Sequence, residues 1–402
     1  MSVPTIRIYD TAQRAVVPFE VGPVVRMYVC GITPYDATHV GHAATMLTYD
    51  LLIRRLEELG HDVRMVRNVT DVDDSILPKA RELGIPFLEL AEAELARFRA
   101  DMDALAMRPA VAEPRATEAI DGMIDMVTKL LDSGHAYEAH GTVYFDVSTF
   151  PRYGRLSRYS RDEMVRVARE RGGNPDDPHR RDPLDFVLWQ PSLPDEPSWD
   201  APFGSGRPGW HVECSVMSMT ELGTPTLDLH GGGTDLIFPH HECEIAQSES
   251  CTHETFARYW VHSEMVRYEG EKMSKSLGNL VFVSDLLKIA DPRAIRLALM
   301  RHHYRTGFEW HDTDLEEGTA LLHRLLAAAQ CTDGADPQPF AARVRAAIDD
   351  DLDAPKALEA LDDLASAVLS GGDHPTAPDA LRELAALLGI DLTRPQETGT
   401  GA

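Results

Sequence analysis

Basic residues are scarce. Across 402 residues, 39 Lys and Arg stand against 65 Asp and Glu, a formal net charge of −26 that works against any broad, sequence-blind grip on a polyanion. Cysteine is sparse too. The five residues Cys30, Cys214, Cys243, Cys251 and Cys331 are odd in number and far apart, which excludes a disulfide framework and suits a reducing compartment with metal or substrate chemistry. No apolar run reaches the length of a membrane span, and residues 1–9 alternate Ile with charge rather than showing the basic-then-apolar profile of a secretion signal. We therefore expect a cytoplasmic protein, free of the membrane. What is present, 43% hydrophobic and 26% charged residues, is an ordinary globular balance with room for about two to three domains.

Residues 26–30, Arg-Met-Tyr-Val-Cys, form a short apolar run that ends at the turn residues Gly31 and Pro34, the pattern of a buried strand. Met46, Leu47, Leu51, Leu52 and Leu56 then recur at helical spacing, Gly60 supplies a stop, and residues 61–70 read as a second strand. A strand, crossover helix, strand unit belongs to a parallel sheet, so the expected fold class is α/β with a Rossmann-type core. Helices are expected over 82–105 and 116–131, and a hairpin over 136–147. The charged, loop-rich stretch 152–181 and the Pro/Gly-rich connector 193–209 read as an insertion. Strand character returns at 226–229, ahead of Gly231-Gly232-Gly233, and at 259–266. Beyond Asp314, Leu/Ala-rich helices (321–326, 358–369, 381–388) predict a helical bundle. It is acidic, with 17 acidic and 6 basic residues over 313–402. The expected division is 1–115 and 209–266 for the two halves of the core, 116–208 for the insertion, 267–313 for a loop region and 314–402 for the C-terminal bundle.

His39-Val40-Gly41-His42 stands where the first turn enters the first helix. A helix N-terminus exposes unpaired amides and a positive dipole end, so phosphate oxygens are favoured there and two histidines add donors. Taken alone, the tetrapeptide fits a capped surface turn equally well. Lys272-Met273-Ser274-Lys275-Ser276 follows about 230 residues later, in a Ser/Gly-rich loop able to close over phosphates and stabilise a departing pyrophosphate. By itself a basic loop is more often a solvated surface. Together and in this order, the two segments resemble the HIGH and KMSKS signatures of class I aminoacyl-tRNA synthetases. That resemblance implies ATP with Mg²⁺ as co-substrate, and His39, His42, Lys272 and Lys275 as the catalytic groups.

A third constellation combines thiolate, imidazole and carboxylate, the usual zinc ligands. Cys30, Cys214 and the run Pro239-His240-His241-Glu242-Cys243-Glu244 supply all three. With Pro239 as the first helical residue, His240 and Glu244 stand at i and i+4 on one face, whereas His241 has Ile245 at i+4 and is the poorer partner. Spacing alone leaves buried structural cysteines as the alternative. The segments around Cys30, Cys214 and His240 also resemble cysteinyl-tRNA synthetases. This likeness, running from Tyr28 to about Leu369, implies one Zn²⁺ held by Cys30, Cys214, His240 and Glu244, with the substrate thiol bound directly. It further implies substrate contacts from Cys30, Gly31, Ile32, Thr33, Thr45, Asn68, Val69, Thr70, Trp210, Gly233, Thr234, Asp235 and Val266: a ribose held where Gly233-Thr234-Asp235 ends a strand, adenine near Val266, and Trp210 beside the adenylate. Cys243 departs from the Asn typical of the synthetases and is a stray ligand candidate.

Two related families share such chemistry, the cysteinyl-tRNA synthetases and the cysteine ligases of mycothiol biosynthesis, which join cysteine to the amine of glucosaminyl-inositol. The short, acidic bundle leaves little place for tRNA. Glu170-Arg171-Gly172-Gly173-Asn174-Pro175 resembles the Glu-Arg-Gly-Gly-Asp-Pro signature of the ligases, with Asn174 in place of Asp. Glu244 points the other way, as the acidic ligand position of the tRNA enzymes. We expect small-molecule partners (cysteine, ATP and an amino sugar) and a monomer; ligation to another small amine and a catalytically silent paralogue are the other readings.

Overall fold

The computed structural model describes residues 5–35, 38–273 and 278–394. Four parallel strands form its central sheet in the order Ala257–Ser263, Leu227–Gly233, Val24–Ile32, Asp62–Val69. From Val24–Ile32 the chain crosses through the helix Val40–Glu58 to Asp62–Val69 on one side, and the later strands are added on the other. The strand order therefore reverses between Val24–Ile32 and Leu227–Gly233, and the carboxyl ends of these two strands open the crevice where ligands bind in doubly wound sheets. Pleating decides which residues meet. Val25, Met27 and Val29 join the core containing Val40–Glu58, whereas the alternate residues Tyr28 and Cys30 pack with Cys214 and Leu222 of the helix Trp210–Leu222.

The strand Leu227–Gly233 runs on through Gly231, beyond the 226–229 stretch read from the sequence. A Cβ on Gly231 would lie 2.3 Å from the Tyr49 ring, whose hydroxyl donates to the carbonyls of Gly232 (2.9 Å) and Val261 (2.8 Å). The glycine thus lets a helix side chain tie two core strands together.

An antiparallel sheet, Ala136–Ala139, Thr142–Phe145, Phe186–Gln190 and Arg207–Pro208, is inserted between the two halves of the core. The expected hairpin forms its first two strands. The stretch 152–181 is less loop-like than its composition predicts, since Ser160 and Glu163 form a reciprocal capping box that starts the helix Arg161–Glu170. The helix expected over 82–105 is two, Ile76–Leu83 and Phe87–Ala104, because Gly84 takes φ +67° and Pro86 precedes the second.

Helices Asp312–Ala329, Gln338–Asp349, Ala354–Leu369 and Ala377–Leu387 make the C-terminal bundle, in which Gln338–Asp349 is a helix the sequence reading did not name. It docks on the first core helix through charge. Arg55 holds Asp349 with two bonds of 2.7 and 2.8 Å, and buried Asp50 receives Arg54 at 2.7 Å and the guanidinium of Arg296, which also donates to Leu388 and Leu105 carbonyls. Burial pushes the Asp50 carboxyl up, but Arg296 and Arg54 outweigh it and hold it below the ordinary carboxylate range. Asp50→Ala leaves Arg296 buried without its counter-charge, and denaturant unfolding should report a loss of about 3–5 kcal/mol. Since the folded pKa is depressed, the contribution of Asp50 is complete above its unfolded value and fades as pH falls through the folded one.

Candidate functional site

Cys30 arrives at the carboxyl end of Val24–Ile32, Cys214 on the second turn of Trp210–Leu222, and His240 and Glu244 across the start of the helix Glu242–Thr252. All four are buried, and their ligand atoms lie within 4.8 Å of one another. The regular helix begins at Glu242 rather than Pro239, because Phe238 is extended, yet His240 still reaches its i+4 partner: Nε2 lies 3.1 Å from Glu244 Oε1. That nitrogen forms no hydrogen bond, so its lone pair and the carboxylate converge on shared space.

More histidines surround this group than His240, with His241, ranked the poorer partner from its spacing, among them. His241 Nε2 is 3.4 Å from Cys30 Sγ and His230 Nε2 is 2.9 Å from Glu244 Oε2, so Cys30, His230, His241 and Glu244 form a second, overlapping set of ligand atoms. His241 continues through His262 (2.8 Å) to the Thr11 hydroxyl (2.7 Å), and His211 meets His240 at 2.9 Å. Burial pushes His211, His230 and His262 down to about 3 and lowers His240 and His241 as well, which keeps the imidazoles neutral with lone pairs available. Burial pushes Cys30 and Glu244 up, and Cys214 raises Cys30 further. Such crowded donors disfavour their anionic forms until a cation joins them. Two thiols, an imidazole and a carboxylate suit tetrahedral zinc. Cys243, expected as a stray ligand, belongs to neither set; its sulfur lies 3.2 Å from the Tyr153 hydroxyl.

A cavity of about 520 Å³ opens over the carboxyl ends of the two central strands. Cys30, Gly31, Ile32 and Thr33 form one wall, His39, Gly41, His42 and Thr45 another, and Gly233 and Asp235 a third. His39 caps the helix Val40–Glu58, its Nδ1 accepting from Gly41 N–H at 3.1 Å, and its ring stacks on His42 with centroids 3.8 Å apart. A Cβ at position 41 would stand 2.9 Å from the His39 ring, so glycine leaves the ring room over the cap. Several expected contacts lie elsewhere. Asn68, Val69 and Thr70 are buried outside the cavity lining, with Asn68 bracing Gly31 N–H at 2.8 Å and Thr70 at 3.0 Å. Val266 is core, and Met265 takes its place in the wall. Thr234 donates to Glu264 at 3.2 Å and faces a different cavity. The Lys272 backbone pairs with Arg267 in a short strand; its side chain and all of Lys275 lie outside the described residues.

A second cavity of about 610 Å³ adjoins the first, since Thr33 and Tyr35 line both. The insertion supplies much of its wall, including Arg171, Gly172, Gly173 and Asn174. Trp210 lines this cavity rather than the first and stacks on His240 with centroids 4.1 Å apart, which places its ring beside the metal-type cluster. Arg171 donates to the carbonyls of Asp235 and Phe238, fastening the loop of one cavity to the wall of the other.

Residues 17–320 match the catalytic domain of tRNA synthetases class I (C). The chain belongs to this family. Over 389 residues it is 49% identical to an L-cysteine:1D-myo-inositol 2-amino-2-deoxy-alpha-D-glucopyranoside ligase of Thermobispora bispora, covering 96% of each chain. The protein of that name from Mycolicibacterium smegmatis is 48% identical, with 97% of this chain and 96% of the other covered. Mycobacterium tuberculosis methionyl-tRNA synthetase in complex with methionyl-adenylate superposes with a TM-score of 0.65 at 17% identity, covering 91% of this chain and 89% of that one. The class I synthetase fold expected from the His39 and Lys272 motifs is thus present, and among the described residues no helix is long and apolar enough to cross a membrane. In this class I chain the sequence reading missed His211, His230 and His262, which converge from separate elements and share no spacing signal, and it ranked His241 as the poorer partner although it reaches Cys30.

Proposed function

We propose that this protein activates L-cysteine with ATP as cysteinyl-AMP and pyrophosphate, then transfers the cysteinyl group to the amine of glucosaminyl-inositol, the ligation step of mycothiol biosynthesis. The observation that carries this reading is the convergence of Cys30, Cys214, His240 and Glu244 beside the 520 Å³ cavity that Cys30 lines, in a chain 49% identical to a ligase of that name over 96% of its length. A zinc ion held by those four residues would supply a soft partner for the substrate thiol, which the hydroxyl of serine cannot match.

The chain's own groups account for the rest. The cysteine carboxylate attacks the α-phosphorus, and pyrophosphate leaves with increasing negative charge. His39, Gly41 and His42, at the amino end of Val40–Glu58, line the cavity where that charge develops, and the helix dipole and the imidazoles favour it there. Asp235, on the opposite wall, accepts from the ribose hydroxyls. Lys272 and Lys275 supply positive charge to the departing pyrophosphate. The substrates are cysteine, ATP with Mg²⁺ and an amino sugar, handled in the cytoplasm by a monomer.

ATP–pyrophosphate exchange tests the first half. Exchange that depends on cysteine and is silent with serine is the expected result; exchange driven equally by both would exclude thiol recognition.

A further inference from the structure

We infer that the 610 Å³ cavity is the acceptor subsite and that Asp73 is its catalytic carboxylate, anchoring the acceptor's ammonium group and taking a proton from it. This rests on the ligase reading above and adds where the second substrate sits and which group prepares it for attack.

Position comes first. Asp73 lines the cavity, and its Oδ2 accepts from the Thr33 hydroxyl at 3.2 Å, while Thr33 lines the nucleotide cavity as well. The carboxylate therefore stands at the mouth between the two spaces, on the side where an activated carbonyl beside Cys30 would be reached. It is also fixed: Oδ1 accepts from the N–H groups of Ser75 (2.7 Å) and Ile76 (2.9 Å), at the start of the helix Ile76–Leu83. The other acidic side chains of the lining are engaged elsewhere. Asp74 pairs with Arg207, Asp177 receives the Tyr144 hydroxyl at 2.6 Å, and Asp185 receives the Tyr137 hydroxyl at 2.7 Å. Burial holds the Asp73 carboxyl above the ordinary range, which suits a proton acceptor.

The lining also defines the ligand class. Asn174, Gln190, Thr142 and Tyr144 offer donors and acceptors around the cavity, and Trp210 offers a flat apolar face. A space of this size with many hydrogen-bonding groups fits a two-ring polyol carrying one amine. The ammonium gives one proton to Asp73, the freed nitrogen lone pair forms a C–N bond at the carbonyl carbon of cysteinyl-AMP, the C–O bond to phosphate breaks, and the second proton leaves on the AMP phosphate.

Asparagine at position 73 can still accept from both backbone amides, so it keeps the turn while removing the charge and the proton acceptor. Transfer from preformed cysteinyl-AMP to glucosaminyl-inositol is measured beside ATP–pyrophosphate exchange in the wild type, Asp73→Asn and Asp73→Ala. Transfer should fall at least about 100-fold more than exchange in both variants. Near-normal transfer in Asp73→Asn with loss in Asp73→Ala would reduce Asp73 to a turn-forming residue and overturn the inference, as would parallel loss of transfer and exchange. If the wild type makes adenylate but no amide, the ligase reading fails, and calorimetric titration of glucosaminyl-inositol into protein loaded with a sulfamoyl analogue of cysteinyl-AMP decides the subsite. Binding weakened about tenfold or more by Asp73→Asn retains it. Binding that the substitution leaves unaltered, or no binding at all, removes it.

Discussion

Cys214→Ser is expected to strip the protein of bound zinc and to lower cysteine-dependent ATP–pyrophosphate exchange by at least about 100-fold. Cys214 is buried at 1% exposure and shares one ligand space with Cys30, His240 and Glu244. A serine there offers a hard, protonated oxygen in place of a thiolate, and the remaining three donors lose a quarter of the shell. The preference for cysteine over serine, expected at about 10⁴-fold or more in the wild type, should shrink with the metal. Metal analysis and exchange kinetics on the same sample check both parts. Full zinc content with intact selectivity would mean that the overlapping set with His230 and His241 holds the ion instead.

The second large effect belongs to His42. Its ring stacks on His39 above the first turn of Val40–Glu58, on the wall of the nucleotide cavity. Removing one preorganised donor from a phosphoryl-transfer site typically costs about 10²–10³ in rate. His42→Ala should therefore lower kcat for adenylation by that factor while the KM for cysteine changes little, since the proposed thiol site at Cys30, Cys214, His240 and Glu244 does not include His42. A variant that raises the KM for cysteine and keeps kcat would place His42 in ground-state binding.

The parts of the fold that could be read in advance are those with a strong local signal. The apolar run ending at Cys30, the helical spacing after His42 and the turn residues between strands led directly to the parallel core. The helix Arg161–Glu170 was hidden by its charged composition, although the Ser160 and Glu163 pair that caps it was present in the sequence. At the site, the i, i+4 relation of His240 and Glu244 was legible because one helix carries both. His230, His262 and His211 were not, because tertiary packing alone brings them together, and helical spacing undervalued His241 because its contact is to Cys30 on another element. Val266 packs in the core while its neighbour Met265 lines the cavity, a one-residue distinction that the composition of the segment does not carry. Asn68 and Thr70 were placed in the right neighbourhood but act from behind it, holding Gly31 in position.

The central claim is that the activated cysteine goes to a sugar amine and not to tRNA. Negative charge argues for this, since the bundle over 313–402 carries 17 acidic and 6 basic residues and so repels a polyanion. The polar cavity adjoining the one lined by His39 and His42 argues for it independently, because a small acceptor can be enclosed there. The deciding measurement gives the zinc-loaded protein ATP and radiolabelled cysteine with glucosaminyl-inositol and unfractionated tRNA together, and follows the label into each product. Label in the cysteinyl amide, with tRNA at background, is the predicted result; label accumulating mainly as cysteinyl-tRNA would contradict it.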